Sequence, residues 1–471
     1  MLNKLKLISL ITVAALGLQA CGDDDKSTAG APKQLVNINT AVYSVIRQNP
    51  AANAIFAGAG ATNVGDEPCE VKVHRMSFDT VGGKGEATTS SGVFMLPHGD
   101  DARCQGDRPV LLYAHGTSSE KNYDLSQIVP PPGSPTNAAA SEAVMLLAAY
   151  ASQGYAVVAP NYAGYSDSTL DYHPYVNEVQ QSTEMIDALM HVREYAGMLG
   201  AKLSSELFIS GTSQGGYVAM ATHKALQASG EKVSASMPVS GPYALLDFID
   251  TIFAGYVNAG ATTFAPLYLN GLERAFDIYD DPSEVYDAAY AGTAENALPA
   301  VGGFTTTGFP ATAIFGGEPP EGANALHAMG FGADHLLSDA FRVAYLTDAG
   351  LNADAPENKI RKLVKDGDLR NWKPMSPLMM CGAANDPVVY YPINTGLMNA
   401  YWADLVAAGL VSSLDLSATP AGPFASVMGA FQAAGIELPS VHGSTGVYCA
   451  LAGVNYFNAV RAQMAAAAAA N

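Results

Sequence analysis

A chain of 471 residues, about half of them apolar, is long enough to bury a sizeable core without metals or other staples. Its formal charge of -20 argues against nucleic acid and anionic lipid as partners, so neither class of function is expected.

In chain order, Lys4 and Lys6 precede an apolar stretch from Leu7 to Leu18 that is too short for a permanent membrane span. Leu18-Gln19-Ala20-Cys21 closes it, with Gly22 next. The run resembles a bacterial lipoprotein signal, which implies removal of residues 1–20 and acylation of Cys21. An ordinary leader cut near Ala20, leaving Cys21 as a spare thiol, is the alternative. Loss of Lys4 and Lys6 with the leader takes the charge from -20 to -22, since that segment holds no acid. Residues 21–35 read as a flexible tether, because Asp23 to Pro32 has no apolar pattern. No later apolar run is long enough to span a bilayer, so the expectation is an exported protein held at the cell envelope by its N-terminal lipid alone.

Residues 36–242 and 373–471 read as two parts of one α/β core. Pro109–Ala114, Tyr155–Ala159, Leu207–Ser210, Ala235–Val239 and Leu378–Cys381 are short, apolar and bounded by Gly, Pro or polar residues, as buried parallel strands are. A helix from about Asn177 to Leu199 joins the second to the third, with Met185, Ile186, Leu189, Met190 and Val192 mostly on one face. The predicted class is therefore a mostly parallel sheet with helices on both faces. After Gly241-Pro242 the rhythm stops. Residues 243–372 read as a helical insertion, with helical cues at Ala244–Tyr256, at Asp281-Pro282 and at Ala340–Leu346, placed as a cap over the sheet's carboxyl edge. A separate small domain without a catalytic part is the other reading. The run Ala465–Ala470 is expected to be a frayed helix end.

Besides Cys21 there are four cysteines, Cys69, Cys104, Cys381 and Cys449, an even set in a compartment that permits disulfides. Three pairings are open. Cys69 with Cys104 and Cys381 with Cys449 is preferred, because each pair joins one structural neighbourhood. No Cys-x-x-Cys or His-x-x-x-His spacing accompanies them, so no metal site is expected.

Gly211-Thr212-Ser213-Gln214-Gly215-Gly216 follows the third strand and opens a helical run from Tyr217 to Leu226. A serine on so sharp a strand-to-helix turn needs small residues two before and two after it, here Gly211 and Gly215. A serine hydroxyl is a weak nucleophile until an imidazole takes its proton and a carboxylate holds that imidazole. On such an elbow the acid and then the histidine follow in chain order. Asp386, in the loop after Leu378–Cys381, is the candidate acid; Asp366, Asp368 and Asp404 are expected to be solvated surface acids instead. His442 is the one histidine beyond Asp386, expected in a loop ahead of a helical run Val447–Val460. His115-Gly116-Thr117 follows the first strong strand and reads as an oxyanion loop. The amides of Thr117 and Gln214 are its expected donors, with His115 and Gly116 ordering the turn.

Together these runs resemble the secretory lipase family of α/β-hydrolases. Tyr113–Thr117 is similar to its oxyanion loop, Gly154–Gly164 to its strand and aromatic loop, and Gly211–Gly216 to its elbow. The departures are Asn161, where the family commonly has an acid, and Ser412–Pro439, a longer path to the histidine. The resemblance implies the α/β-hydrolase fold, a helical lid after the sixth strand, hydrolysis of a small-molecule or lipid ester, and no cofactor. A peptidase of the same fold and a surface lipoprotein that only binds lipid are the competing functions. The expected acidic clamp for a free amine is not visible, and the intact serine, acid and histidine argue against mere binding.

Overall fold

The computed structural model describes residues 29–129 and 138–470. The expected leader, Cys21 and the expected tether up to Thr28 lie outside the described residues.

Nine strands form one sheet, β1 (Gly30–Ile38), β2 (Glu70–Val81), β3 (Ala87–His98), β4 (Arg108–Ala114), β5 (Ala156–Pro160), β6 (Leu203–Thr212), β7 (Ala235–Val239), β8 (Leu378–Gly382) and β9 (Val411–Asp415). Their order across the sheet is β1-β2-β3-β5-β4-β6-β7-β8-β9. The pairs β1–β2, β2–β3 and β3–β5 are antiparallel, and all others are parallel. Strands covered on both faces carry unbroken apolar runs, and Val110 to Ala114 of β4 are all buried. That is why the five expected strands were readable. The edge was not: β1 begins at Gly30, so the expected tether gives up its last residues to the sheet. Its residues pair through backbone groups and are largely exposed, which leaves no apolar signature.

The crossover helix spans Glu178–Tyr195, with the Asn177 side chain accepting from the Gln180 amide as its N-cap. Met185, Leu189 and Val192 are buried on its inner face, while Met190 points to solvent.

Between β7 and β8 the described residues form helices and no named strand, among them Leu245–Phe253, Ala261–Phe276, Asp339–Leu351 and Lys359–Asp366. The insertion follows the seventh strand of this chain, since β1 adds one at the edge. A buried charged group pins its helices together. Arg361 donates through Nη2 to Asp250 (2.6 Å), Tyr345 donates to the same carboxylate (2.8 Å), and the Tyr345 ring stacks on Phe253. The insertion is also tied to the core at several places, two of them through backbone groups on opposite sides. Ala259 N donates to Pro387 O (3.1 Å) and Asn258 Nδ2 to Val388 O (2.9 Å) on one side. On the other, Lys121 N donates to Ala300 O (2.9 Å) and Ala300 N to Ser119 O (3.0 Å).

The last helix runs from Val441 to Ala470. His442 thus sits in its first turn and not in a loop ahead of it, because the 3-10 turn Leu438–Ser440 leads straight in. A single glycine such as Gly443 costs a helix only about 1 kcal/mol, too little to break it. The alanine tail expected to fray is helical to Ala470, alanine being the best helix former. Both disulfides have the expected pairing, Cys69–Cys104 with Cα atoms 5.5 Å apart and Cys381–Cys449 with Cα atoms 6.0 Å apart. Among the described residues no helix is long and apolar enough to cross a membrane.

Candidate active site

Ser213 stands between β6 and the helix Gln214–Ala228, with φ 62° and ψ -121°. Positive φ at a residue with a side chain is strained, and it is held here by packing that tolerates no Cβ nearby. A methyl on Gly211 would lie 2.3 Å from the Gly215 carbonyl oxygen, and one on Gly215 would lie 2.0 Å from that of Ala114. Gly216, not singled out from sequence, is equally confined, at 2.3 Å from Val239 O.

Asp386 is buried in the loop after β8, where its Oδ1 accepts from the amides of Val388 (2.8 Å) and Val389 (3.1 Å). Its Oδ2 lies 2.7 Å from His442 Nδ1. A neutral imidazole donating from Nδ1 presents Nε2 as an acceptor, and that atom is buried with no hydrogen-bond partner. Gly446, one turn beyond His442, packs against the Thr212 side chain, 3.0 Å from where a Cβ would stand. The last helix is thereby seated beside the residue preceding Ser213. Ser213 and His442 are not hydrogen-bonded to one another.

Neither the Thr117 nor the Gln214 amide donates to a described protein acceptor. Thr117 Oγ1 lies 2.8 Å from Tyr175 Oη, and the preceding amide, that of Gly116, donates to Glu142 Oε1 (3.1 Å). His115 is fully buried and orders this loop. Its ring is stacked between Tyr123 and Tyr162, with Nε2 2.9 Å from Asn161 O and Nδ1 2.6 Å from Gly116 O. Asn161 itself is buried, donating to Ser91 Oγ (2.9 Å) and Asp124 Oδ1 (3.1 Å). The Gln214 side chain is held 2.7 Å from His173 Nε2. Burial pushes that imidazole down to about 3, so it is neutral and accepts from the amide.

Of the competing acids, Asp366 is exposed and Asp404 pairs with Lys373 at the surface, as expected. Asp368 corrects its expectation. It is buried, accepts from the Leu246 amide (3.0 Å) and pairs with Arg370 (2.8 Å), anchoring the start of the insertion. Among the described residues no group of three or more His, Cys, Asp or Glu side chains is placed to hold a metal ion.

Ser213 and Gln214 open onto a cavity of about 890 Å³, counted with its mouth. Phe248, Ile252, Phe264 and Tyr268 of the insertion form much of its wall, and Val388 and Val389 of the acid loop complete it. A serine on a strained turn and the loop that carries a hydrogen-bonded acid–imidazole pair therefore border one apolar chamber.

No protein-family model and no curated protein sequence matches the chain. Among solved structures it is similar to a ligand-bound form of the rice cell wall degrading esterase LipA from Xanthomonas oryzae. The identity is 22% and the TM-score 0.70, over 90% of this chain and 96% of that one. It is also similar to a candidate hydrolase from Legionella pneumophila (17%, TM-score 0.65, 92% and 98%) and to Candida antarctica lipase A (14%, TM-score 0.50, 73% and 72%). The fold is that of the α/β-hydrolases. In it Asp386 and His442 are hydrogen-bonded to one another, and the helix carrying His442 packs beside the residue preceding Ser213. Glu142, Tyr175 and Asn258 were missed, and only the isolation of Glu142 within the apolar run Ala138–Ala149 could have flagged one of them.

Proposed function

We propose that the protein is a serine carboxylic-ester hydrolase working through an acyl-enzyme. Ser213 Oγ attacks the ester carbonyl and passes its proton to His442 Nε2, while Asp386 holds Nδ1 and stabilises the imidazolium. The amides of Thr117 and Gln214 receive the developing oxyanion, each donor contributing on the order of a hundredfold or more in rate. The alcohol leaves with the proton from His442, and water, deprotonated by the same imidazole, releases the acid. The acyl chain lies in the apolar cavity, whose cap side chains set the preferred length at roughly 0.8 kcal/mol per buried CH₂. The observation that carries this reading is the 2.7 Å Asp386–His442 bond with Nε2 left buried and unpartnered. The esterase and lipase structures of the same fold support it. The leader and the two disulfides support export, with Cys21 as the acylated anchor at the cell envelope.

The test is labelling of Ser213 by a fluorophosphonate probe, with p-nitrophenyl esters of graded acyl length and an aminopeptidase substrate assayed in parallel. Ester turnover lost by at least a thousandfold in folded Ser213→Ala is the expected outcome. An unlabelled wild type that still cleaves esters, or preferential cleavage of the peptide, would overturn it.

A further inference from the structure

Glu142 lies outside the serine, acid and histidine, yet its carboxylate is the hub beneath the oxyanion loop. It sits in the helix Ala138–Ala149, half-buried in an otherwise apolar face. Three neutral donors converge on it, Tyr113 Oη at 2.8 Å and Gly116 N at 3.1 Å on Oε1, and Tyr123 Oη at 2.6 Å on Oε2. Each leads to the reacting centre. Tyr113 is the penultimate residue of β4, and its Oη lies 3.3 Å from Thr212 Oγ1, next to Ser213. Tyr123 stacks on His115 with ring centroids 4.3 Å apart. Gly116 immediately precedes the amide of Thr117. A carboxylate taking several hydrogen bonds fixes its donors strongly in partial burial, and a donor displaced by about 1 Å can cost on the order of a hundredfold in rate.

Resting on the ester-hydrolase reading, we propose that Glu142 is a positioning residue for the oxyanion hole. By occupying the Gly116 amide and bracing both tyrosines, it fixes the loop in which the next amide, that of Thr117, is left without a protein acceptor among the described residues. Such a role differs from a structural one in what it moves. An oxyanion donor acts on the transition state and not on bound ester, so its misplacement lowers kcat and leaves KM alone.

The experiment compares wild type, Glu142→Ala and Glu142→Gln, with kcat expressed per active site titrated by a fluorophosphonate, and with an alkyl boronic acid as a tetrahedral mimic. Glu142→Ala is expected to lose ten- to a hundredfold in kcat with KM within threefold, and to bind the boronic acid more weakly by a similar factor. Glu142→Gln retains an acceptor for Gly116 N and is expected to stay within about threefold of wild type. A Glu142→Ala protein that melts earlier but keeps its kcat per titrated site overturns the inference alone. So does a loss confined to KM. A wild type that is neither titrated nor active on esters overturns the ester reading and this inference with it.

Discussion

Ser213 was recognisable because its turn demands glycine for steric reasons, and the 2.0 and 2.3 Å approaches at Gly215 and Gly211 show how little room there is. Asp386 and His442 followed from chain order, whereas Glu142 did not. A carboxylate that works through hydrogen bonds to a distant strand and loop leaves no local pattern. Glu184 is of the same hidden kind. It is fully buried, with Oε2 accepting from Ala163 N (2.9 Å) and Gln180 Nε2 (3.0 Å), and burial raises its carboxyl above the ordinary range. The folded protein therefore holds this proton more tightly than the unfolded chain does. Its contribution to stability is full below the ordinary carboxylate pKa and is lost as pH rises through the raised folded value. Glu184→Gln removes that titration. In urea unfolding from pH 4 to 8 the stability of Glu184→Gln relative to wild type should grow as pH rises, then level off. A difference independent of pH would refute the assignment.

At the scale of elements, the central parallel strands β4 to β8 were legible because both their faces are buried, and the antiparallel strands β1, β2 and β3 and the parallel edge strand β9 were not. In β2 the apolar positions alternate with polar ones such as Lys72 and Asp79, and β9 is five residues long with two exposed serines. The disulfide Cys381–Cys449 acts between elements. It joins the strand delivering the Asp386 loop to the third turn of the helix that carries His442, so the two partners of the 2.7 Å bond share one covalent brace. Closing 68 residues of chain removes unfolded-state freedom worth about 4 kcal/mol in the chain-entropy model. The paired variant Cys381→Ser/Cys449→Ser should unfold at lower temperature and, while still folded, turn over ester on the order of tenfold more slowly. Cys69→Ser/Cys104→Ser, remote from that loop, should lose stability with little change in kcat. Equal kcat losses in the two variants, measured well below both midpoints, would argue against a brace specific to the site.

At the scale of the whole molecule, the register of the edge strands bears on where an acylated Cys21 would hold the enzyme. Gly30 pairs with Ser77, Ser77 with Ser91, and Gly92 with Pro160 at the carboxyl end of β5. The chain therefore enters the sheet at the same edge that carries Ser213. Five strand spacings separate β1 from β6 in the sheet order, roughly 24 Å. Residues 21–29, even fully extended, reach about 30 Å. An anchor at Cys21 would thus keep the carboxyl edge of the sheet near the bilayer and the cavity within reach of membrane-borne esters. Two measurements follow from the anchor proposal. Cys21→Ala should move the protein from the membrane to the soluble fraction, and unchanged fractionation would remove the anchor. A spacer of twenty Gly/Ser residues after Gly22 should leave the protein membrane-bound and its rate on soluble p-nitrophenyl butyrate unaltered. The same spacer should lower its rate on a fluorogenic ester embedded in that membrane by several-fold, since it lets the domain sample a much larger volume. If both substrates respond alike, the short tether is only a tie and does not aim the site at the bilayer.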